Sequence, residues 1–64
     1  MEEKHLTPEQ LAEREGVPIE TVYQWNSRGT GPRRMKIGRY VRYRLADVIA
    51  WENTQYVETG GSAA

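Results

Sequence analysis

The sequence contains no cysteine and a single histidine, His5. Without thiols there is no disulfide to staple the fold, and one imidazole cannot complete a structural zinc site. The chain is short, 64 residues, and domains run to roughly 100–200 residues, so it has room for one small domain. A chain of this size buries only about 60% of the surface that its unfolded form exposes. Stability must come from efficient packing of a few apolar side chains, or from a partner. Long apolar runs are missing, so no segment reads as a membrane span. The start Met1-Glu2-Glu3-Lys4-His5 is charged and leads into no apolar stretch, unlike a signal peptide. The lack of cysteine fits a cytoplasmic location.

Catalytic constellations are also lacking. Glu9, Glu13, Glu15, Glu20 and Asp47 suggest no general acid–base pair in a pocket. There is no serine–histidine or cysteine–histidine pairing and no glycine-rich phosphate loop. His5 beside Glu2, Glu3 and Glu9 reads as a bystander near a chain end, not as part of a ligand set. A typical ligand pocket of ~300–1,000 Å³ is hard to build on so thin a core. The expectation is a protein that is not an enzyme, with no metal, cofactor or small-molecule ligand.

What is present is charge, unevenly spread. The formal net charge is zero. Residues 1–27 hold six acids against Lys4 and Arg14. Residues 28–44 hold Arg28, Arg33, Arg34, Lys36, Arg39, Arg42 and Arg44 and no acid, and residues 45–64 hold three acids and no base. An acid-free block with this density of guanidinium suits an anionic partner, phosphate above all. The alternative is a solvated face neutralised by the flanking acids.

The pattern predicts helix, helix, hairpin, helix. Thr7-Pro8-Glu9-Gln10 reads as a helix start: Thr7 caps, Pro8 suits the first position, and Gln10 completes a capping box. Leu6 is placed as a staple, and Gly16 ends the helix. A second helix is expected over 19–27. On a helical wheel Ile19 and Trp25 fall within about 60° of Val22, leaving Glu20, Gln24, Ser27 and Arg28 on the opposite side and Thr21 and Tyr23 on the flanks. Gly29-Thr30-Gly31-Pro32 breaks that helix. Met35-Lys36-Ile37 and Val41-Arg42-Tyr43 read as two strands with Ile37, Val41 and Tyr43 inward and Lys36 and Arg42 outward. Gly38-Arg39-Tyr40 forms the tip, with a loop of two or three residues. The third helix is expected from Leu45, with Leu45, Val48, Ile49 and Trp51 on its apolar side and fraying after Asn53.

Two short helices joined by a tight glycine turn suggest a helix-turn-helix, and the cation-rich hairpin suggests a wing. Trp25 and Trp51 could stack on unpaired bases. Both lie on apolar helix sides, which favours core packing with Val22, Ile37, Val41 and Val48. Tyr23 sits between core and surface, and Tyr40 is expected to be exposed.

The string Leu6-Thr7-Pro8-Glu9-Gln10-Leu11-Ala12-Glu13 resembles the first helix of small MerR-like helix-turn-helix domains. Thr21-Val22-Tyr23-Gln24-Trp25 followed by Gly29-Thr30-Gly31-Pro32 resembles their second helix and its exit. Lys36-Ile37-Gly38-Arg39-Tyr40-Val41-Arg42-Tyr43 resembles the wing, and Leu45-Ala46-Asp47-Val48 with Trp51 the closing helix. The likeness covers about residues 6–52, in a group that includes phage excisionases and AlpA-like regulators. Pro18 and Glu20 depart from it, standing where a hydroxyl cap and a basic residue are common.

The resemblance implies an α+β winged helix-turn-helix that binds double-stranded DNA, the second helix in the major groove and the wing on the minor groove or backbone. Residues 6–58 would form the domain, 1–5 a flexible N-terminus and 59–64 a disordered tail. The residues carried over are Glu20, Thr21, Tyr23, Gln24 and Arg28 on the reading helix. Arg33, Arg34, Lys36, Arg39, Tyr40 and Arg42 would supply the wing and phosphate contacts. The implied role is a phage excisionase, or recombination directionality factor, that bends attachment-site DNA and directs integrase toward excision in a bacterial host. The alternatives are a small transcription regulator or, from another class, an adaptor that docks an acidic protein through the basic hairpin. An integrase and further copies of the chain on DNA are the candidate protein partners.

Overall fold

In a computed structural model, which describes residues 4–57, the capping residues act as their chemistry requires. The Thr7 hydroxyl accepts from the Gln10 backbone N–H at 3.0 Å, and the Gln10 side chain accepts from the Thr7 N–H at 2.9 Å. This reciprocal box starts α1 (Pro8–Glu15). Gly16, at φ 71°, ends it. The Gly16 and Val17 amides donate to the Glu13 and Ala12 carbonyls, the paired bonds of a Schellman motif. The chain turns through Pro18 into α2 (Ile19–Arg28), which has no side-chain cap. The Thr21 amide instead donates to the Pro18 carbonyl at 3.0 Å.

Three antiparallel strands follow one another in space in the order β1 (His5–Leu6), β3 (Tyr40–Arg44), β2 (Met35–Ile37). Two strands were expected, so β1 is an addition. Leu6 pairs with Tyr43 and His5 with Arg44, which draws Lys4 and His5 out of the flexible leader expected at 1–5. Leu6, placed as a staple, is buried in the sheet and shares the core cluster with Leu11. The rest of that leader and the tail at 59–64 lie outside the described residues.

The hairpin loop has two residues, since Ile37 pairs with Tyr40. Gly38 takes φ 63° while Arg39 stays at negative φ, the φ pattern of a type II′ turn. That register corrects one expectation. Lys36 pairs with Val41, so Lys36 shares the face of Val41 and Tyr43, while Ile37 shares the face of Tyr40 and Arg42. Ile37 is 51% exposed and is not a core residue. A one-residue difference in loop length moves a strand's whole pattern to the other face.

Helix α3 (Leu45–Glu52) starts directly from β3, and its first amide donates to the Lys4 carbonyl at 2.9 Å. The core is Leu6, Leu11, Ala12, Val22, Tyr43 and Val48. Fully burying a side chain such as Leu11 or Val48 contributes about 1.5–3 kcal/mol. The buried Tyr43 phenol donates to Asn26 Oδ1 at 2.8 Å, and burial raises its pKa. Trp25 and Trp51 form a half-buried pair at the edge of the core, centroids 4.9 Å apart and planes tilted by 54°. The Trp51 indole N–H donates to the Thr30 carbonyl at 3.0 Å. Ile49, expected on the apolar side, is 44% exposed.

Candidate nucleic-acid interface

Helix α2 presents the face that its sequence period requires. Val22 is fully buried against α1 and the sheet, while Glu20, Tyr23, Gln24, Ser27 and Arg28 are exposed and Thr21 is half-buried. Tyr23, at the border on the wheel, is a surface residue at 51% exposure. The polar side of α2 is therefore free to approach a partner along its length.

Gly29 ends α2 at φ 71°, and the chain folds back across Trp25. The Thr30 amide donates to the Trp25 carbonyl at 3.0 Å. A Cβ on Gly31 would lie 2.8 Å from the Trp25 Cβ, so only glycine allows this close crossing. The crossing sets the start of the wing against the end of α2. There Gly29, Gly31, Pro32, Arg33, Arg34 and Lys36 line an open cleft of about 460 Å³. Three cations and no acid face it. Such a cleft attracts anions through the summed field of the cations, and guanidinium groups pair with phosphate oxygens in bidentate fashion.

The remaining wing residues are grouped elsewhere. Arg39, Tyr40, Val41 and Arg42 border a second cleft of about 400 Å³ that α1 closes with Thr7, Pro8 and Glu9. The Arg42 guanidinium donates to the Val41 carbonyl at 2.8 Å and lies 5.4 Å from the Tyr40 ring centroid. This stiffens the wing through a backbone bond and a cation–π contact. Tyr40 is exposed, as expected. The structure thus brings Arg33, Arg34 and Lys36 together in a cleft that begins at Gly29, the end of α2, while Arg39, Tyr40 and Arg42 border the other cleft.

Three residues that position the site had no local signal in the sequence. Asn26 anchors Tyr43 beneath α2. Arg14 and Glu52 bind across 38 residues of chain.

An exposed polar helix after a tight turn, followed by a basic β-hairpin and a closing helix, defines a winged helix-turn-helix of the α+β class. A family model of helix-turn-helix domains matches residues 6–56, most of the chain, and the chain belongs to that family. Family membership points to DNA binding. No curated protein matches the chain. Among the described residues, no helix is long and apolar enough to cross a membrane.

Proposed function

We propose that the protein binds double-stranded DNA at specific sites and acts as an excisionase, a recombination directionality factor that bends attachment-site DNA. The observation that carries the DNA reading is the continuity of the exposed polar side of α2 with the cleft of Arg33, Arg34 and Lys36. A helix laid in a major groove needs cations at its end to hold the flanking phosphates. Thr21, Gln24 and Arg28 approach base edges, with Glu20 and Tyr23 beside them. Glu20 accepts from a cytosine amino group and repels phosphate, so it selects among sequences more than it adds affinity. Arg33, Arg34 and Lys36 hold backbone, and Arg39 reaches outward from the wing tip.

The excisionase role is supported by the likeness of residues 6–52 to the group containing phage excisionases. The second reading, a small transcription regulator, rests on the same DNA surface. A recombination reporter separates the two. Excision by a cognate integrase that depends on this chain supports the first; promoter repression with no effect on excision supports the second.

A further inference from the structure

We infer that a cleft between α1, α2 and the C-terminal end of α3 docks a basic segment of a partner protein, with an arginine side chain held between the tryptophan pair and Glu15. The cleft, about 400 Å³, is walled by Val17, Trp25, Trp51 and Tyr56 and rimmed by Glu15 and Glu52. None of these residues is among the DNA-contacting residues proposed above, and the inference does not depend on that reading.

The two kinds of wall ask for the same ligand. Tryptophan faces attract cations through the ring quadrupole, most strongly where water is excluded. Trp25 and Trp51 are half-buried and tilted against one another, so they form a fixed angled wall, not a flexible one. Tyr56 is 78% exposed beside them. The carboxylates divide unequally. Both Glu52 oxygens are taken by Arg14, at 2.7 and 2.9 Å. The Glu15 carboxyl shares a hydrogen bond with Glu52 while it is protonated, below about pH 7, and its Oε2 is buried with no hydrogen-bond partner. Its nearest cation, Arg14 Nε, lies 3.6 Å away.

A buried carboxylate oxygen without a donor costs free energy that an incoming donor recovers. Arginine fits better than lysine because a planar guanidinium stacks on an indole while its edge donates to a carboxylate. Nucleic acid is the wrong occupant. Its phosphates would meet Glu15 and Glu52, although its bases could stack on the tryptophans. The acids at this end and the cations of residues 28–44 thus serve different partners, and both can be engaged at once.

The test is a titration of the whole chain at pH 8, where the Glu15 carboxyl is ionised, with the blocked tetrapeptide Gly-Arg-Arg-Gly and with Gly-Gln-Gln-Gly as control. It is read by tryptophan fluorescence and by the two indole N–H signals in NMR spectra. We expect a saturable shift of both indole signals with the arginine peptide and none with the glutamine peptide. Glu15→Gln, at a half-buried position outside the core, and Tyr56→Ala, at an exposed one, should each weaken binding about fivefold or more. Unmoved indole signals, equal shifts with the control peptide, or unchanged affinity in both variants would overturn the inference. So would self-association of the chain that Glu15→Gln abolishes, since the occupant would then be a second copy.

Discussion

Arg14 on α1 grips Glu52 on α3 with two parallel hydrogen bonds, Nε to Oε2 at 2.7 Å and Nη2 to Oε1 at 2.9 Å. This is the fork geometry that makes guanidinium–carboxylate pairs specific. It ties the first helix to the last. Arg14→Ala should therefore lower the melting temperature, and Arg14→Lys should not restore it, because an ammonium cannot make the fork. Thermal melts in low salt and in 1 M salt check this. The deficit should shrink at high salt, where the exposed pair is screened in the parent protein as well.

The same cluster makes stability depend on pH in two opposite ways. Burial, and the hydrogen bond that its protonated form gives Glu52, raise the Glu15 carboxyl to about 7. The native state therefore holds a proton that the unfolded state has lost between about pH 4.5 and 7, and stability falls as pH rises through that window. The Arg14 hydrogen bonds, followed by the one from Glu15, lower Glu52 to about 2. Its contribution is complete above about pH 4.5 and is lost as pH falls toward 2. Melting temperature should peak near pH 5. Glu15→Gln should remove most of the decline from pH 5 to 7.5, an effect on the order of 1 kcal/mol once solvent screening is allowed for. A parent protein with a flat profile from pH 5 to 7.5 would contradict this assignment.

Gly31 and Tyr43 carry much of the geometry of the wing. Gly31→Ala drives a methyl group to within 2.8 Å of the Trp25 Cβ, so backbone must move, at about 1–3 kcal/mol. Tyr43→Phe removes the donor to Asn26 Oδ1 and should cost about 1 kcal/mol. Leu11→Ala should cost more, about 2–5 kcal/mol, because it empties a fully buried site. Denaturant midpoints should fall from Tyr43→Phe through Gly31→Ala to Leu11→Ala.

On DNA, the cation cleft and the reading helix should separate by phenotype. Neutralising ~4–6 phosphates gives a slope of log affinity against log salt of about −4 to −5. Arg34→Ala and Arg39→Ala should each weaken binding to every duplex and flatten that slope by about one. Gln24→Ala should leave the slope alone and reduce discrimination between the site and unrelated duplex, by about 1–3 kcal/mol. Binding curves at four salt concentrations distinguish the outcomes.

The parts of this fold that were legible in the sequence are those encoded locally. The Thr7–Gln10 box, the stops at Gly16 and Gly29, and the buried position of Val22 each follow from residues within one or two turns of each other. The α+β winged architecture followed from the order of those local signals. Strand β1 was not legible, because two residues are too short to show alternation; only its pairing with Tyr43 and Arg44 makes it a strand. The side taken by Ile37 was misread because it depends on loop length, and Gly38-Arg39-Tyr40 fits two lengths. The gathering of Arg33, Arg34 and Lys36 in one cleft beside Gly29 and Gly31 was hidden for a related reason. It depends on how tightly Gly31 crosses Trp25, a contact between side chain and backbone that no periodicity reports. The Arg14–Glu52 fork and the unpaired Glu15 oxygen likewise arise from α1 meeting α3 in space.

The central claim is that this chain binds duplex DNA through α2 and the basic hairpin. The most direct measurement is a gel-shift titration on the DNA flanking its own gene, with unrelated duplex as competitor and Arg33→Ala/Arg34→Ala alongside. The account predicts discrete shifts that resist competitor with the parent chain and are lost or greatly weakened in the double variant. No shift at micromolar protein in low salt, or equal shifts by parent and variant, would contradict it.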